Sequence, residues 1–150
     1  MVDHQKAAQL FESARALAYD TPAIGRKLSG NCVTVHYGML GAARELFGPG
    51  VELVVGYIEV AGRAYFHFTN DEVESWRAGI TKRNYNLHSW LSVHGDVLDL
   101  TLAPTFHENE PHLIPADLTY IDLRIASEHG IVHKARLMGD RIPIELGLFR

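Results

Sequence analysis

Between residues 85 and 102 the chain alternates apolar and other side chains on both sides of a His94-Gly95 pair. No other feature restricts the fold as much. A two-residue hairpin turn needs left-handed backbone, which glycine adopts without a Cβ penalty, so an X-Gly pair between alternating runs predicts two antiparallel strands. The strands are predicted over Tyr85–His94 and Val97–Leu102. With His94-Gly95 as the turn, Val93 pairs with Asp96, Leu91 with Leu98, Ser89 with Leu100 and Leu87 with Leu102. That face is largely leucine and valine and belongs on a core. The opposite face carries His88, Trp90 and Ser92 against Thr101, Asp99 and Val97. His88 then lies diagonal to Asp99, about 7–8 Å apart at the backbone, within reach of an imidazole and a carboxylate. A Gly95-Asp96 turn would keep both on one face but set them too far apart to touch.

The N-terminal third is helical in pattern. Ala7, Leu10, Phe11, Ala14, Leu17 and Ala18 recur at steps of three and four over residues 5–18, and Asp20-Thr21-Pro22 closes that helix. A second apolar face runs through Val35, Met39, Leu40, Ala43, Leu46 and Phe47 and stops at Gly48-Pro49-Gly50. Ser29 or Asn31 can cap it, which sets Cys32 in its first turn. Val51–Val60 reads as a buried strand, Ala61-Gly62-Arg63 as a turn, and Ala64–Thr69 as the return. Thr69-x-x-Glu72 reads as a capping box for a short helix over 70–78. Residues 105–116 read as loop, and Tyr120–Ala126 as a strand with a helical alternative. Helices followed by antiparallel strands predict an α+β domain over residues 1–150, with the N-terminal helices packed on the sheet.

Cys32 is the chain's one cysteine, so an internal disulfide and a Cys-rich zinc site are excluded. An unperturbed thiol is only about 3% thiolate at pH 7, whereas a helix N-terminus and a neighbouring imidazolium both favour the anion. Cys32 at a helix start, His88 and Asp99 therefore form a candidate nucleophile, base and orienting carboxylate. The Cys32 N–H, with Asn31 or Arg26, is a candidate oxyanion donor, and Trp90 could shield the His88–Asp99 bond or line a substrate groove. His129 and His133 have metal-ligand spacing, but Gly130 interrupts the helix they would need, and they read as surface. His36 and His67 have no assigned role. No metal or cofactor motif is present.

Gly30-Asn31-Cys32 at a helix start, the Gly56-Tyr57 strand, His88-Ser89-Trp90-Leu91 and Leu98-Asp99-Leu100-Thr101 together resemble the transglutaminase-like branch of the papain-like cysteine proteases. The resemblance spans about residues 28–103. It implies a Cys-His-Asp triad of Cys32, His88 and Asp99 in that chain order, on a helix packed against an antiparallel sheet. It further implies amide hydrolysis through a thioester, with a peptide or protein substrate carrying an amide. Transglutaminase or thioester-dependent acyltransferase chemistry, or a non-catalytic binding module on the same fold, are the alternatives.

A formal charge of −4 without like-charge runs argues against nucleic acid or an anionic membrane as partner. The N-terminus carries no signal-like pattern and no apolar stretch is long enough to span a bilayer, so the expected location is cytoplasmic. A protein exported without a cleaved signal would read the same way.

Overall fold

A computed structural model describes residues 4–79 and 86–148. The chain is α+β. Helices α1 (His4–Tyr19) and α2 (Cys32–Phe47) precede strands β1 (Glu52–Val60) and β2 (Arg63–Tyr65) and helix α3 (Asn70–Arg77). Strands β3 (His88–Val93) and β4 (Asp96–Leu98), helix α4 (Leu102–Asn109), strand β5 (Tyr120–Ile121), helix α5 (Leu123–His129), strand β6 (Ile131–Met138) and helix α6 (Ile142–Glu145) follow. The sheet is antiparallel in the order β2-β1-β3-β4-β5, with β6 added against β1. No helix among the described residues is long and apolar enough to cross a membrane.

The two N-terminal helices lie over the face of the sheet that carries Leu53, Leu91, Val93 and Leu98, with Leu10, Ala14, Val35, Met39 and Ala43 filling the interface. The opposite side holds Ile58, Val60, Leu102, Phe106, Ile121 and Ile131. Period-two alternation on β1 and β3 divides their side chains between these layers. His88 and Trp90 stand on the second face, opposite Leu91 and Val93.

The hairpin turn has the expected register, with Val93 opposite Asp96 and Leu91 opposite Leu98. His94 and Gly95 take φ of 52° and 87°, the two left-handed residues of a type I′ turn. Beyond Leu98 the expected pairing fails. Ser89 and His88 pair with Val55 and Gly56 of β1, and the predicted Ser89–Leu100 and Leu87–Leu102 pairs do not form. The cause is Asp99. Its Oδ1 accepts the N–H groups of Thr101 at 3.2 Å and Leu102 at 2.9 Å, while its own N–H donates to Thr119 O. A carboxylate that captures backbone N–H groups two and three residues ahead turns the chain into a helix instead of continuing a strand. Helix α4 starts there, with Pro104 in the first turn, where its missing N–H does no harm. Residues 102–109 are thus helix where the sequence predicted strand end and loop. Tyr85, the predicted first residue of the hairpin, lies outside the described residues.

Three further elements differ from expectation. The return strand expected over Ala64–Thr69 is β2, which ends at Tyr65. The predicted strand over 120–126 is only two residues long, because Asp122 caps α5 by accepting the Ile125 N–H. Gly130, left-handed at φ 63°, ends α5, so His129 and His133 do not share a helix. The chain then enters β6, which no sequence signal had singled out. The Thr69/Glu72 capping box is present as read.

Candidate active site

Cys32 is the first residue of α2, behind Asn31 at the N-cap position. No side chain caps this helix. The Asn31 amide nitrogen instead donates to the carbonyls of Ile24, Lys27 and Ser29, which ties the preceding loop into a fixed approach. The Asn31 side chain is therefore spent on the loop and not aimed at an oxyanion. The first-turn N–H groups of α2 lack a side-chain acceptor at the floor of a cleft of about 520 Å³, lined by Gly30, Cys32, Thr34, Phe66, His88 and Leu148 among others. Such N–H groups, with the positive end of the helix dipole, suit a developing negative charge. The thiol lies 3.9 Å from Leu87 O.

His88, 1% exposed on β3, lines the same cleft as that thiol. Its Nε2 lies 2.7 Å from Asp99 Oδ2. An ionised carboxylate can only accept, so Nε2 carries the proton and Nδ1 is left for Cys32. Burial alone would lower the His88 pKa. The Asp99 charge and hydrogen bond, with smaller contributions from Cys32, outweigh burial and raise it to about 10. Asp99 shows the converse. Burial pushes its pKa up, but the charge of His88 and the hydrogen bonds from His133 and His88 hold it well below the usual carboxylate range. The carboxylate thus favours the protonated ring of His88, which lines the cleft together with Cys32.

Three residues that the sequence did not assign to this site pack into it. His133, read as surface, has its side chain only 3% exposed and donates Nε2–H to the same Asp99 Oδ2 at 2.9 Å. His36, four residues after Cys32 on α2, is fully buried. It accepts the Leu100 N–H at Nε2, 2.9 Å away, and donates Nδ1–H to Cys32 O at 2.7 Å. It links α2 to the loop that carries Asp99. Phe66, at φ 62°, stacks on His88 with ring centroids 5.3 Å apart and forms a cleft wall. A bulky non-glycine residue in left-handed backbone is strained, and such strain concentrates at functional sites. The spacing of His36 from Cys32 was a legible signal, since i and i+4 share a helix face. His133 and Phe66 reach the site through tertiary packing, which no local pattern reports.

One predicted site residue lies elsewhere, and another packs behind the site without lining the cleft. Arg26 donates to Tyr19 O, sits over the Tyr19 ring, and lines a separate groove between α1 and α4. Trp90 is 3% exposed and does not line the cleft. It packs against His88 and, edge-on, against His133, whose centroid is 4.8 Å from its own. Its large ring seals the hydrogen bonds to Asp99 from that side.

Among the described residues, one His/Asp group, His88, Asp99 and His133, has possible metal-ligand atoms within 4.8 Å of one another. Its N–O separations of 2.7 and 2.9 Å are hydrogen-bond lengths, and Asp99 already accepts four N–H groups. The group is satisfied as a hydrogen-bonded relay.

Buried neutral histidines make the fold sensitive to acid. Burial lowers the His36 pKa to about 4, and burial also lowers that of His133. An unfolded histidine takes a proton near pH 6.5, which folded His36 refuses until about pH 4. Its contribution to stability is therefore complete above about pH 6.5 and lost as pH falls toward 4. His36 alone should withdraw about 2 kcal/mol by pH 5 and about 3 kcal/mol by pH 4. Thermal unfolding at pH 7 and pH 5 checks this, and an unchanged melting temperature would refute it.

Comparisons of the chain with protein-family models, with curated protein sequences and with solved structures find no match.

Proposed function

We propose that this protein is a cysteine-dependent amide hydrolase of papain-like arrangement, acting through Cys32, His88 and Asp99. One observation carries the reading: His88 is bonded at Nε2 to a buried carboxylate, which leaves Nδ1 as its available nitrogen, and it lines the same open cleft as the Cys32 thiol at an uncapped helix N-terminus. An ordinary buried histidine would not need an ionised partner on one side and a nucleophile on the other.

The proposed chemistry balances without a cofactor. The Cys32 thiolate attacks the amide carbonyl, and the oxyanion is held by first-turn N–H groups of α2, that of Cys32 included. Collapse breaks the C–N bond while the His88 imidazolium gives its Nδ1 proton to the leaving amine. A thioester remains. Water, deprotonated by His88, attacks it, and breaking the C–S bond restores thiolate and imidazolium. Asp99 keeps the imidazole in the tautomer that serves both steps. Hydrolysis is favoured over transamidation because water needs no second binding site. A peptide bond or a glutamine-type side-chain amide fits the chemistry, and the cleft volume admits several atoms on either side of the carbonyl.

Because Cys32 is the chain's one cysteine, iodoacetamide reports on it alone. At pH 6 the wild type should alkylate at least about tenfold faster than His88→Ala, whose thiol has lost its imidazolium. A panel of peptides and glutamine-containing substrates should then show amine or ammonia release that Cys32→Ala abolishes. Equal alkylation rates in wild type and His88→Ala, rising together only in mild alkali, would point to a binding module instead.

A further inference from the structure

Asp99 holds more than the triad requires. Its Oδ1 accepts two backbone N–H groups, and its Oδ2 accepts both His88 and His133. We propose that His133 is a second positioning residue of this site, a neutral donor that keeps the Asp99 carboxylate ionised and aimed at His88. The inference rests on the Cys-His-Asp reading above.

The geometry carries it. Four donors divided between two oxygens fix the rotation of the carboxylate, since any turn breaks contacts on both sides. Without His133, Oδ2 would be held only by His88, the ring that it is meant to orient. Asp99 is fully buried and the His133 side chain nearly so, which keeps bulk water from replacing this donor. The titratable groups facing this cluster are Cys32 and His36 from α2, His88 from β3, Asp99 from the segment after β4, and His133 from β6. With a single carboxylate among three imidazoles, the proton collects on the ring that also faces the thiol. Burial holds His36 and His133 neutral, so His133 gives Asp99 a hydrogen bond without competing as a cation.

The test follows the Asp99 carboxyl carbon by NMR through an acid titration, alongside alkylation of Cys32 by iodoacetamide at pH 6. His133→Leu keeps bulk but cannot donate. It should move the Asp99 titration upward by about one pH unit and slow alkylation about fivefold. His133→Gln, whose amide nitrogen matches the reach of Nε2, should restore both readings. A merely structural histidine would lower the melting temperature in both variants and leave the Asp99 titration in place. If His133→Leu does not fold, His133→Asn replaces it, since its amide stops one bond short of Asp99. Wild-type titration and alkylation in His133→Leu, or failure of glutamine to restore them, would overturn the proposal. Failure of the triad reading looks different, as wild type and His88→Ala would then alkylate alike. In that case a shifted Asp99 titration would show His133 holding a carboxylate on which no thiolate depends, and the positioning role falls with the reading.

Discussion

Asp99→Asn is expected to lower stability by about 3 kcal/mol and to slow alkylation of Cys32 at pH 6 by about a hundredfold. Both Asp99 oxygens face donors: His88 and His133 on Oδ2, Thr101 and Leu102 N–H on Oδ1. An asparagine has one oxygen and one NH2 group, so either orientation sets a donor against donors. If the NH2 faces the histidines, His88 must give up its Nε2 proton and change tautomer. If it faces Thr101 and Leu102, the start of α4 loses its acceptor. Neither arrangement retains the negative charge. Burial then acts on His88 against only the smaller Cys32 contributions, and its pKa should fall from about 10 to below the ordinary histidine value. Denaturant unfolding gives the stability and an NMR titration of the His88 ring gives the protonation. A ring that still titrates near 10 in Asp99→Asn would show that Asp99 is not what holds its proton.

Gly56→Ala should destabilise by about 3 kcal/mol, although it adds one methyl group to a well-paired strand. A Cβ at this position would lie 2.0 Å from the Lys134 carbonyl oxygen and 2.8 Å from the Trp90 ring. The first obstacle is backbone of the neighbouring strand, so β6 must separate from β1 at a place where their register already shifts. The second is the ring that packs against His88 and His133. Moving either draws His133 away from Asp99, so slower Cys32 alkylation should accompany the lower stability. Gly38→Ala is the control. Its Cβ would meet only the end of the Leu17 side chain, at 3.0 Å, and alanine favours the helix it occupies. Its stability should change by less than about 1 kcal/mol. Equal effects at both positions would mean that close approach of β6 is not what Gly56 serves.

The site was partly legible for a local reason. A type I′ turn fixes hairpin register over a few residues, so His94-Gly95 placed His88 and Asp99 on one side of the chain before any tertiary contact was known. Helical periodicity likewise set Cys32 at the start of α2. The diagonal cross-strand geometry expected for His88 and Asp99 is nevertheless not how they meet. The ladder ends at Leu98, and Asp99 reaches His88 from a turn whose shape its own carboxylate imposes. Residues 105–109 looked like loop because Pro104, Pro111 and Pro115 interrupt that stretch, but a proline in the first turn of α4 breaks nothing.

What the sequence determined by itself is set by short range: two amphipathic helices, a hairpin with its register, a capping box, and one thiol at a helix start. Each depends on periodicity or on backbone conformations open to few residue types. What only the tertiary structure decided is the company these groups keep. β6 returns to β1 from over seventy residues away, at a point where Gly56 lets it approach, and delivers His133 to Asp99. Phe66 comes to His88 through a strained loop backbone, and Arg26 turns to Tyr19 and away from the cleft. Contacts between distant segments follow from how whole layers pack, and neither the period nor the composition of any one segment encodes them.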